Sequence, residues 1–105
     1  MEKVTAGRDN LGDFAPQFAA LNDDVLFGEV WAREKELEPK IRSMITVSAL
    51  ISGGNFEQVT PHLKIAKENG VTKDEIVEII THLSFYVGWP KAWSAFNLAK
   101  EIFDD

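Results

Sequence analysis

The chain has 105 residues, 45% of them apolar, 17 acidic against 11 basic side chains, a net charge of −6 and no cysteine, which fits one small domain with a thin core. The charge argues against a nucleic-acid partner, which needs clustered Lys and Arg, and the missing thiols exclude a disulfide framework, a thiol nucleophile and a thiolate metal site. The longest uncharged run, residues 43–56, is too short for a membrane span, and the Met-Glu-Lys start leads into no apolar signal region, so a cytoplasmic protein with no membrane partner is expected.

Helical periodicity runs through the chain and no stretch alternates long enough for a half-buried strand, so the fold class is all-α. Residues 1–10 read as a polar, frayed N-terminal tail, and residues 11–105 as a single helical domain. Phe14, Phe18 and Leu21, then Val25, Leu26 and Val30, predict two short helices over 14–20 and 23–34, the second capped by Asn22. Pro39 opens a third helix that runs to about Ser52, where SGGN breaks it, and its apolar residues surround the axis, which predicts burial on all sides. A fourth helix ends in KENG with Gly70 just beyond it. Its start is open between Asn55, which would put Pro61 inside the helix, and Thr60, which would put Pro61 in the first turn; both place His62 near the beginning. TKDE, Thr72 to Glu75, is a capping box for a fifth helix to Val87, and Gly88 separates it from a sixth, from Pro90 to about Phe103.

The stretch THLSFYVGWPKAW gathers a histidine, a tyrosine and two tryptophans. Ile76, Ile80, Leu83 and Val87 form the core stripe of the fifth helix, while Glu78, His82 and Tyr86 share a second face flanked by Phe85. That second face suits either a pocket wall or a polar subunit contact. His62 at a helix start would be held neutral by the macrodipole and so be fit to exchange a proton, although a lone histidine is more often structural. Glu78 and His82 at i, i+4 can share an ion, but no HExxH or second ligand pair accompanies them, so no metal is expected. Trp31, Trp89 and Trp93 are candidates to line an apolar cleft, with the core the first expectation for Trp31.

FGEVWAREKELEPKIRSMITVSALIS, the later PHLKIAKENGVTKDEIVEIITHLSFYVGWPKAWSAFNLAKEIF and the spacing between them resemble the carboxymuconolactone decarboxylase family over Phe27 to Phe103. The resemblance implies a small helical bundle built around a helical hairpin, assembled with itself into ring-like homo-trimers or homo-hexamers with the cleft near subunit contacts. In the family's peroxidase-reductase branch a Cys-x-x-Cys-x-x-x-His motif carries thiol chemistry. Counted back from His62, its sulfur positions fall on Asn55 and Gln58, and that branch's relay glutamate falls on Ser43, so a thiol peroxidase or its reductase is not expected. The decarboxylase branch remains, which turns 4-carboxymuconolactone into 3-oxoadipate enol-lactone in aromatic catabolism without a cofactor.

On this resemblance His62 is the family's histidine and first candidate for acid or base, with His82 and Tyr86 as further candidates. Glu29 stands at the family's acidic position beside Trp31, and Arg42 or Arg33 would hold substrate carboxylates. Trp89 and Trp93 stand where decarboxylases of this branch carry smaller residues, which implies a narrower pocket. The expected partner is thus a small-molecule substrate. The alternative is a non-catalytic oligomeric binding or scaffold protein of the same fold, whose polar face orders a subunit contact.

Overall fold

The computed structural model describes residues 3–104. Among them every regular element is helical, and the chain divides into two compact units, Met1–Glu38 and Pro39–Asp105.

In the first unit, α1 (Ala6–Leu11) is followed by α2 (Pro16–Ala20), which passes without a break into a π-helix over Leu21–Val30. Residues 6–11 are thus helical where a frayed tail was expected. Asn22 caps nothing: it sits inside the continuous helix and its Nδ2 donates to Asp23 Oδ1 at 3.0 Å. The wider turn is seen where the Trp31 amide reaches back five residues to the Leu26 carbonyl at 2.9 Å.

The second unit holds four helices, α3 (Pro39–Gly53), α4 (Phe56–Glu68), α5 (Lys73–Val87) and α6 (Trp89–Phe103). Gly54, at φ 72°, and Gly70, at φ 94°, end α3 and α4 in the left-handed conformation. In the first case the Gly54 and Asn55 amides turn back to the Ile51 and Leu50 carbonyls; in the second the Gly70 and Val71 amides turn back to Lys67 and Ala66. Both closures satisfy carbonyls that a helix end would otherwise orphan.

Polar contacts fix the directions. Asn69, just past α4, donates to Ser43 at the start of α3 at 3.0 Å, so α3 and α4 are antiparallel. Lys91 at the start of α6 reaches the Ser52 carbonyl at the end of α3 at 3.0 Å, and Lys40 at the start of α3 pairs with Glu75 at the start of α5 at 3.0 Å. Lys67, late in α4, donates to the carbonyl of Ile102, late in α6, at 2.9 Å. Two antiparallel hairpins, α3–α4 and α5–α6, therefore enclose one core.

That core takes Val47 and Ile51 from α3, Val59, Leu63 and Ala66 from α4, Ile76 and Ile80 from α5, and Ala92, Ala95, Ala99 and Phe103 from α6. The alanines, at i, i+3 and i+7, let α6 approach its neighbours closely. One expectation needs correction, and one open choice is decided. Within the single chain α3 buries the face of Ser43, Val47 and Ile51, while Ile41 and Ile45 point outward, so it is not covered on all sides. Pro61 lies inside α4, because burying Val59 together with Leu63 requires a helix that has begun at Phe56; its missing amide forgoes the bond to the Glu57 carbonyl.

Candidate active site

His62 is the seventh residue of α4, one and a half turns beyond its start, so the helix terminus is not what acts on it. It adjoins the buried stripe of Val59, Leu63 and Ala66, is itself half-buried, and its Nδ1 is closed to solvent. Burial holds the imidazole below its ordinary pKa, because the charged ring loses solvation. Burial, and not the helix terminus, therefore favours the neutral ring. Arg42 lies on α3, partly buried, with its Nε also closed to solvent.

The second face of α5 is present as read. The His82 and Tyr86 rings lie 5.0 Å apart, centroid to centroid, tilted by 32°. Glu78 and His82, with Glu75, line a groove of about 400 Å³ against Met44 and Ser48 of α3. Capping places this face: the Thr72 hydroxyl accepts from the Glu75 amide at 3.1 Å and Glu75 Oε1 accepts from the Thr72 amide at 2.9 Å, which sets where α5 begins and hence its phase.

Trp89 and Trp93, at the head of α6, are both exposed. Trp93 walls a second groove between α5 and α6, of about 440 Å³; His62 and Trp89 line neither groove. In the other unit Trp31 is buried and stacked on Phe27, centroids 6.0 Å apart and planes 17° apart, which is the core role expected first. Glu29 and Arg33 are exposed in that same unit.

Two features escaped the sequence reading. One is the buried Asp23 carboxylate, which takes the Gly7 and Arg8 amides at 2.8 and 3.0 Å. The other is the α5–α6 groove, for which the spacing of Trp93, Phe96 and Lys100 on α6 was an available signal. Among the described residues no group of three His, Cys, Asp or Glu side chains could hold a metal ion, and no helix is long and apolar enough to cross a membrane.

Two helical hairpins around an alanine-lined core, with a half-buried imidazole on the second helix, define a small all-α protein. Residues 16–101 match the carboxymuconolactone decarboxylase family, and the chain belongs to that family. It is 37% identical over 102 residues to the 4-carboxymuconolactone decarboxylase of Acinetobacter baylyi, a match covering 97% of this chain and 75% of that protein. It is also 32% identical over 79 residues to the nitrosuccinic acid decarboxylase npaB of Metarhizium robertsii, covering 75% of this chain and 54% of that protein.

Proposed function

We propose that the protein is a cofactor-independent decarboxylase of a small unsaturated lactone acid, 4-carboxymuconolactone or a related compound, with His62 as its proton-transfer residue. The observation that carries this reading is the half-buried His62 imidazole with its lowered pKa, in a chain similar almost end to end to a 4-carboxymuconolactone decarboxylase. When the bond to the carboxylate breaks, carbon dioxide leaves and the electron pair passes to the lactone carbonyl as a dienolate. Protonated His62 then delivers a proton to carbon and takes another from water. Its low pKa makes the imidazolium a stronger acid than a solvated one. Arg42 supplies a cation for a substrate carboxylate, and His82 and Tyr86 are further donors for the developing oxyanion. Glu29, Trp31, Arg33 and Trp89 are given no step in this reading.

The nitrosuccinic acid decarboxylase supports a wider substrate class. In a nitro acid too, loss of carbon dioxide leaves an electron pair that a neighbouring electron-withdrawing group takes up before carbon is protonated. The purified chain should release carbon dioxide from 4-carboxymuconolactone without added metal or cofactor, with nitrosuccinate as the comparison substrate. Turnover of neither by folded protein would sink this reading and leave the oligomeric binding or scaffold protein.

A further inference from the structure

The groove between α5 and α6 has about 440 Å³, within the range of small-molecule sites. Ile76, Ala99 and Phe103, all buried, make its floor, and Val77, Trp93 and Phe96 its walls. Trp93 keeps 63% of its surface exposed, an indole held open beside a ready-made apolar slot. Trp93, Phe96 and Lys100 follow one another at i, i+3 and i+7, so the aromatic wall leads along one helix face to an ammonium group.

Because α5 and α6 are antiparallel, Lys73 at the start of α5 stands at that same end of the groove. It reaches Asp104 at only 3.9 Å, with both side chains mostly exposed. Lys100 has no ion-pair partner among the described residues. Among the described residues that line the groove, two ammonium groups thus stand with one carboxylate at the rim. Asn97 adds an amide that can donate a hydrogen bond.

We propose that this groove binds a small aromatic carboxylate, with the ring between Trp93 and Phe96 and the carboxylate at Lys100 and Lys73. The ring gains apolar burial and aromatic contact, while the carboxylate stays at the rim, where the lysines attract it without the cost of full desolvation. A neutral ring would gain only the burial, and a cation would meet two ammonium groups. The inference does not rest on the decarboxylase reading, since His62 lines no part of the groove.

Calorimetric titration of the full chain with 1-naphthoate, 1-naphthalenemethanol and 1-naphthylmethylammonium tests it. Saturable binding of naphthoate is expected, tighter than of the alcohol, with the ammonium weakest. Lys100→Glu should weaken naphthoate about tenfold, the scale of reversing one exposed charge, and the contrast should fade in high salt. Trp93→Leu should weaken all three probes, and Lys100→Glu, at an exposed position, decides the matter if that variant folds poorly. The proposal is overturned if naphthoate does not bind, as when a second copy of the chain covers the groove. It is equally overturned if the alcohol binds as well as the acid, or if Lys100→Glu changes nothing. His62→Gln should leave naphthoate binding intact; its loss there would assign the ligand to the histidine's site instead.

Discussion

The carboxylate of Asp23 accepts the backbone amide of Gly7 at 2.8 Å, across sixteen residues of sequence. With the Arg8 amide at 3.0 Å it satisfies two donors in the first turn of α1. Burial by itself pushes the Asp23 carboxyl up, but bonds from Asn22, Arg8 and Gly7 together with the Arg8 charge outweigh it and hold the group below the usual carboxylate range. Asp23→Asn should therefore loosen α1, read as faster amide exchange at Gly7 and Arg8 with α5 unchanged. Since the folded value is the lower one, this contribution is complete above the unfolded carboxyl value of about 3.9 and is lost as pH falls through the folded value. Protection at Gly7 that rises on acidification would contradict the assignment. A Cβ at Gly7 would lie 2.7 Å from both the Ala19 carbonyl and Asp23 Oδ1, so Gly7→Ala should destabilise by about 1–3 kcal/mol.

The reciprocal bonds of Thr72 and Glu75 open α5, and Glu75 also pairs with Lys40 of α3 at 3.0 Å. Thr72→Ala should cost about 1 kcal/mol in urea unfolding, the usual loss for an N-cap oxygen. Glu75→Gln, which keeps an acceptor for the Thr72 amide and loses only the charge, should cost less. The opposite order would mean that the ion pair, rather than the cap, holds the start of α5.

The same contrast explains what could be read in advance. The TKDE box and the glycine closure in KENG are local signals, and the structure places each where its spacing put it; on α5 Ile76 and Ile80 are core as read, while Leu83 and Val87 are only partly buried and Ser84 is buried in their stead. The start of α4 had two local solutions, and tertiary burial of Val59 with Leu63 chose between them. Nothing local marks α1, whose AGRDNL has almost no apolar stripe and whose partner carboxylate comes from residue 23. Likewise the π-helix at 21–30 has no signature in a pattern read at 3.6 residues per turn. His62 was legible as a candidate by resemblance, but its environment was not: burial acts on it, and burial is a property of the packed core.

The outward faces of α3 and α5 carry Ile45, 56% exposed, Phe85, 81%, and Tyr86, 77%. Apolar side chains so placed are covered in an assembly or cost solubility. A trimer or hexamer is the expected species in sedimentation, in keeping with what the resemblance implies. Phe85→Glu should shift it to smaller species, since burying one such ring is worth about 1.5–3 kcal/mol per contact. Wild-type protein sedimenting as a folded monomer at micromolar concentration would defeat this.

Desolvation lowers the His62 pKa, and that fixes the sign of two pH effects. The unfolded chain takes up a proton near pH 6.5 while the folded imidazole still resists it, so stability is full above that value. It declines as pH falls below it and levels off once the folded pKa is passed. As proton donor, His62 is active only when protonated, so kcat/KM for 4-carboxymuconolactone should fall as pH rises past the lowered pKa, by about tenfold per unit. His62→Gln should abolish that limb and reduce turnover by about two to four orders of magnitude, while removing the acid-side loss of stability and leaving the oligomer intact. A limb that rises with pH would make His62 a base and strike it out as the donor. An unchanged rate in His62→Gln would move the proton transfer to Glu29, Glu78 or Tyr86, and dissociation of the assembly would make the histidine structural.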